Sequence, residues 1–342
     1  MNPFIKQELD HKVAKFFDKN YSILGWKLLN DTDMCYLGNS HNKKCRFCNR
    51  TERDGATFEK VAHCFPESIG NHFLASYYEC DSCNEFFGKT IEGEFANYMN
   101  IYHSMSLIHG KKKIPDHVGT DQKSKLTQSA GKPILSVISE SDTDESLTDH
   151  PSSTHVTIKG NLIEYEDVAP PHYPIAVFKC FVKMALSVMP ENELFIFQDT
   201  IQWLRERKHT NIFGGKKLIC RYKMIPGYNT TKFPCYWLFK RKGSCQCAIY
   251  PYFVFCLTYG NFSYAIEIPT TSDKNHSIKD VPFPPIPFYS EKERCIDLSS
   301  TEKVNDLKQK VYLTSTGGLI EMDPSELPDD IIEKAIINDN MK

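Results

Sequence analysis

The chain has 342 residues, 41% of them hydrophobic and 12% aromatic, enough apolar side chain for a buried core and for two domains rather than one. A formal net charge of -2, with a sequence pI near 6.6, excludes a broadly basic nucleic-acid coat, so any nucleic-acid contact has to be a local cleft or patch. The most apolar run, AIYPYFVFCLTY at 248–259, is too short to span a bilayer and contains Pro251, and the N-terminus is polar and interrupted by charge, without a secretory core. A cytoplasmic protein with no membrane partner is expected.

In chain order, residues 1–30 predict a helix and then a short extended piece. A block from residue 35 to about 110 concentrates Cys, His and Asn, with β character at 57–65 and 73–79. Helical spacing follows at 84–108, where Phe87, Ile91, Phe95, Tyr98 and Met99 recur three and four apart. Residues 111–159 turn to Ser, Thr and Asp, open on Lys111-Lys112-Lys113 and include an acidic stretch at 140–149, the composition of a polar linker with short hairpins. The lysine run reads as a solvated charge run.

The second block predicts helices at 175–188 and 193–207, then aromatic-rich β segments at 217–224, 235–240, 248–259 and 262–268. In its first helix Lys179 and Lys183 share one stripe, while Phe178, Val182, Ala185 and Met189 form another. Alternating aromatics such as Tyr222, Tyr228, Tyr236, Trp237, Tyr252, Phe253 and Phe255 predict core rather than a base-stacking platform. A proline cluster at 281–287 closes the block, and a short helix is expected at 329–337. The fold class is α+β: a metal-stabilised strand-strand-helix unit, then two helices and an aromatic-rich sheet. Three parts are expected: 1–110, a 111–159 connection, and 160–342.

Thirteen cysteines is an odd number, and in a reducing compartment spaced pairs point to metal before disulfide. Cys45-x2-Cys48 and Cys80-x2-Cys83 lie 31 residues apart. Two such knuckles suit a tetrahedral, structural Zn2+, with each turn aiming both thiolates at one point at ~2.3 Å. Cys245-Gln246-Cys247 has no second half and reads as strand cysteines. Between the knuckles, the run 61–71 (VAHCFPESIGN) places His63 where a β segment ends, before a loop containing Pro and Gly. An imidazole deprotonates water near neutral pH, which makes His63 the candidate general base. Asn84 opens the following helix, where its amide oxygen suits a hard cation.

In order and over about 50 residues, CRFC, AHCFPESIGN and ECDSCN resemble the signature of the HNH endonucleases, completed by NEFFG at 84–88. The resemblance implies a ββα-metal fold and hydrolysis of DNA phosphodiesters. His63 takes the role of general base, Asn84 that of ligand to a catalytic Mg2+ or Mn2+, and the four cysteines that of zinc ligands. Many family members carry Asp just before the base; here it is Ala62, and Glu92, eight residues after Asn84, is the expected replacement, with Glu59 a weaker one. The motif's middle asparagine is Ala75, so Asn71 is expected to hold the loop. HNH units of this type also resemble those of anti-phage effectors, which implies an activating nucleotide signal or partner protein; residues 160–342 are expected to serve regulation, targeting or oligomerisation, the last giving a homo-oligomer. The competing expectation is an inactive zinc module that binds nucleic acid or a protein.

Overall fold

The computed structural model describes residues 11–30, 34–120, 122, 124–129, 132–137, 154–159, 162–224, 231–271, 275–284, 293–314 and 319–320. The chain begins with α1 (His11–Asn20), β1 (Tyr21–Leu28), β2 (Cys35–Leu37) and β3 (Leu74–Ser76). A helical arm follows: α2 (Asp81–Phe87), a π turn (Gly88–Glu92), α3 (Gly93–Tyr98) and α4 (Asn100–Met105). Next come β4 (His117–Val118), β5 (Ser124–Ser129), β6 (Lys132–Val137), β7 (His155–Lys159) and β8 (Leu162–Val168). Helix α5 (Pro174–Ser187), a 3-10 turn (Glu191–Phe197) and α6 (Gln198–Leu204) precede the last strands. Those are β9 (Ile219–Met224), β10 (Thr231–Arg241), β11 (Phe253–Gly260), β12 (Phe262–Glu267), β13 (Arg294–Asp297), β14 (Lys308–Thr314) and β15 (Leu319–Ile320).

Alternation along the aromatic-rich segments builds a six-stranded antiparallel sheet in the order β1-β10-β11-β12-β9-β13. Successive side chains of a strand point to opposite faces. In β11, Phe253, Phe255, Leu257 and Tyr259 therefore enter the main core, while Val254 and Cys256 enter a second, smaller one. The smaller core is closed by α1, where Phe17 meets Phe239 at a ring separation of 4.9 Å. The main core lies under α5, whose fourteen residues are all buried. Phe181 of that helix faces Tyr264 of the sheet at 5.0 Å and Phe95 of α3 at 5.3 Å, so α5 is sandwiched between the sheet and the helical arm. The aromatics read as core are so placed at Tyr236, Phe253 and Phe255, whereas Tyr252 is exposed and Tyr228 lies outside the described residues.

Two smaller antiparallel sheets flank this body, β4-β5-β6 and β15-β14-β8-β7. A buried carboxylate joins them: Asp167 accepts from His117 Nε2 at 2.7 Å, Thr120 Oγ1 at 2.7 Å and Thr154 Oγ1 at 3.0 Å. These donors outweigh the upward push of burial and hold the Asp167 carboxyl well below the usual range.

The structure is mixed helix and sheet, and several expected elements differ in detail. The expected first strand at 57–65 is reduced to one bridge, His63 with Ala75. The amides of Glu59 and Lys60 explain this, because they donate to the Asp81 carboxylate instead of to a neighbouring strand. The expected helix at 193–207 is a 3-10 turn followed by α6. The strand expected from residue 248 starts at Phe253, after Pro251, which has no N–H for a ladder. Cys245 and Cys247 lie in the connection before that strand, not in a strand. The acidic stretch at 140–149 and the helix at 329–337 fall outside the described residues. Among those described, no helix is long and apolar enough to cross a membrane.

Candidate metal centre and nuclease site

The first knuckle is a tight turn closed by Cys45, whose amide donates to Arg50 O at 2.9 Å and whose carbonyl accepts from Asn49 N at 2.8 Å. Asn49 sits at φ 60°, a left-handed conformation that asparagine tolerates better than most residues. The second knuckle is the first turn of α2: Cys80 is its N-cap, and the amides of Cys83 and Asn84 both donate to Cys80 O. The four thiols converge, with ligand atoms all within 4.8 Å of one another and Cys48 Sγ 3.6 Å from Cys80 Sγ. A tetrahedral thiolate site with bonds of ~2.3 Å has sulfur–sulfur edges of roughly 3.8 Å, so the set fits such a metal ion.

The loop between the knuckles is fixed by a buried asparagine. Asn71 donates through Nδ2 to Phe65 O (2.9 Å) and Leu74 O (3.0 Å), and its Oδ1 accepts from Leu74 N at 3.0 Å. Gly70 ends the 3-10 turn Glu67–Ile69 at φ 86°, where a side chain would be strained. Phe65 packs on the large sheet, 5.3 Å from Tyr236. Asn71→Ala strands Phe65 O and Leu74 N, while Leu74 O keeps the Cys64 amide, and each stranded buried group costs about 1–3 kcal/mol. The expected result is a fall of several kcal/mol in unfolding free energy, measured by denaturant titration. A change under about 1 kcal/mol would show that the loop is held by other means.

His63 lies at the mouth of this loop, its side chain 17% exposed. Its Nδ1 is buried with no hydrogen-bond partner, while Nε2 faces Glu67 Oε1 at 3.8 Å. Nε2 is therefore the nitrogen available to a reactant. Burial pushes the imidazole pKa below its ordinary value, and the charges of His72 and Lys183 act in the same direction against Glu67 and Glu92. The ring is thus neutral at neutral pH, the form a base needs. Asn84 donates from Nδ2 to Val61 O at 3.4 Å, two residues before His63 in the chain. Glu92 ends the π turn that separates it from Asn84. In a straight α-helix eight residues leave the two about 80° out of line, and the wider π turn reduces that offset.

Glu92 reaches His63 only through a third residue: Lys183 donates from Nζ to Glu92 Oε1 at 3.0 Å and to His63 O at 3.1 Å. Apart from the cysteines, no set of three or more His, Cys, Asp and Glu gathers within metal-binding range among the described residues. Glu59 is turned to Asp81 by its backbone. Two participants escaped the sequence reading. Glu67, inside the PES motif, stands between His63, His72 Nδ1 at 3.9 Å and Lys111 Nζ at 3.8 Å, so one of the three lysines read as a solvated run borders the site. Lys183 comes from the second block, where its place on a stripe with Lys179 was the one available signal.

With this geometry in place, the comparison with known families is specific: residues 45–100 match the model of the HNH endonuclease family. The span contains both knuckles, the His63 loop and the helical arm to Asn100. It marks an HNH-type domain, with nuclease activity and DNA as the substrate class that it suggests. No curated protein and no solved structure gives a significant match to the chain.

Proposed function

We propose that the protein is a metal-dependent DNA endonuclease in which His63 activates water and the four cysteines hold a structural Zn2+. The observation that carries this reading is the convergence of Cys45, Cys48, Cys80 and Cys83 on both sides of a loop that presents a neutral His63 at its mouth. His63 Nε2 takes the proton of a water as it attacks the phosphorus, which leaves 5′-phosphate and 3′-hydroxyl ends. Asn84, through its amide oxygen, and Glu92 would hold a Mg2+ or Mn2+. Mg2+ keeps several waters and needs only one or two protein oxygens beside the substrate phosphate, so the absence of a closed carboxylate cage among the described residues fits it. When bound, that ion supplies charge stabilisation at the leaving 3′ oxygen. Lys111, beside Glu67 at the rim, adds a local positive charge on a chain that is acidic overall.

Within this reading, residues 1–110 form the nuclease part, 111–159 a connection, and 160–342 a part for regulation, targeting or oligomerisation in the cytoplasm. The resemblance of the loop and of NEFFG to anti-phage effectors supports a regulated defence nuclease, switched on by a nucleotide signal or a partner protein. Incubation of the metal-loaded protein with supercoiled plasmid tests the activity. Nicking in Mg2+ or Mn2+ that EDTA abolishes is the expected result. DNA left intact with every ion and candidate partner favours the inactive zinc module, a reading that Ala62 in place of the family's aspartate supports. Degradation of RNA alone would reassign the substrate.

A further inference from the structure

Two buried cations cross between α5 and the metal-bearing block, in opposite directions. Arg46, inside the first knuckle, donates from its guanidinium to Leu186 O and to Met189 O (3.1 Å), at the C-terminal end of α5 where unpaired carbonyls gather negative charge. The same guanidinium lies 4.3 Å from the Tyr78 ring centre. In return α5 sends Lys183, fully excluded from solvent, into the nuclease site. Its Nζ meets three acceptors: His63 O at 3.1 Å, Glu92 Oε1 at 3.0 Å and Glu79 Oε2 at 3.2 Å. Two of its three donors make hydrogen bonds, to His63 O and Glu92 Oε1, and Glu79 adds an ion pair.

Those acceptors belong to the three walls of the site. His63 O is the carbonyl of the residue that carries the imidazole, Glu92 ends the helical segment that begins near Asn84, and Glu79 directly precedes the zinc-knuckle residue Cys80. We infer that Lys183 is a positioning residue for the nuclease site, and that α5 is the strut through which the C-terminal block controls it. This rests on the nuclease reading given above. The ammonium touches neither water nor DNA, because it is buried on every side. It fixes the peptide plane after His63 and the carboxylate of Glu92 relative to each other, and misplacement of such groups by about 1 Å can cost on the order of 100-fold in rate. A ligand or partner that shifts α5 then moves the base and the helical wall together. Residues 1–110 alone lack this contact, so the site is completed by a side chain 120 positions beyond His63 in sequence.

Lys183→Met alone would leave Glu79 buried beside no cation, so the informative variant is the full chain carrying Lys183→Met with Glu79→Gln. Replacing both charges of a buried pair commonly preserves folding. Such a variant is expected to keep its metal content and thermal midpoint while kcat for plasmid nicking falls at least about tenfold, with KM within about threefold. The NMR signals of the His63 imidazole should move as well, a readout that needs no catalysis. Parent-like kcat together with unmoved His63 signals would overturn the inference. If the parent itself cuts no DNA, the nuclease reading fails while the imidazole signals still decide the positioning role. Should the double variant fail to fold, Lys183→Arg carries the test. It keeps the charge but cannot place one nitrogen among three acceptors, and a kcat loss with shifted His63 signals is expected. Parent-like values there would overturn the inference too.

Discussion

His63→Ala is expected to reduce plasmid nicking by about 10²–10⁴-fold, the contribution typical of a positioned general base. The fold should survive, because the imidazole makes only a 3.8 Å approach to Glu67 and leaves Nδ1 without a partner. The bond from Lys183 goes to the backbone carbonyl, which alanine retains. The pH profile gives a sharper signature than the loss itself. A base works only when unprotonated, so activity rises as pH climbs through the His63 pKa and then levels off. Burial, with His72 and Lys183, places that pKa below the ordinary ~6.5 despite Glu67 and Glu92. The half-maximal point therefore lies on the acid side of ~6.5, and residual cleavage by His63→Ala lacks this limb. A variant within a few-fold of the parent at neutral pH would remove His63 from the mechanism.

Loss of the cysteine-bound metal is expected to have the largest effect on stability. Structural zinc contributes about 10–16 kcal/mol of apparent binding free energy in small domains, against about 5–15 kcal/mol for the whole stability of a typical protein. The segment between the knuckles has little regular structure of its own: β3 spans three residues and its partner β2 another three. Cys80→Ser removes one of the four thiols while leaving a residue that suits the N-cap of α2, so its effect reports on the thiol. The main core runs unbroken from Phe47 and Phe87 through Phe65 to the sheet at Tyr236, so unfolding of the knuckles should spread beyond them. For a fall of about 10 kcal/mol the thermal midpoint of a chain this long drops by roughly 14 °C, and a strong chelator should do the same to the parent. If the cysteines were ordinary buried side chains, Cys80→Ser would cost only about 1–3 kcal/mol and chelators would change nothing.

The four-cysteine cluster was legible in the sequence because CxxC is a local device: two intervening residues suffice to aim both thiols at one point, whether the turn is the Cys45 loop or the start of α2. The position of His63 was legible for the same reason, and so was Asn71, which could be assigned to the loop from its neighbours. What escaped depends on partners distant in sequence. Residues 57–65 carry strand-like side chains, yet Asp81 captures the amides of Glu59 and Lys60. Strand β1 pairs with β10, more than 200 positions away, through a register that local pattern cannot supply. Lys183 looks like one member of a polar stripe on a helix, and its role appears only when α5 is enclosed on all sides and Glu79 and Glu92 are brought to it.

Native mass spectrometry of the full chain, purified without chelator, gives the simplest decision on whether four cysteines form one centre that builds the nuclease site. One zinc ion per chain is expected, released only as the protein unfolds and absent from Cys80→Ser. A folded chain that carries no metal, with all four thiols free to react with alkylating reagents, would contradict it.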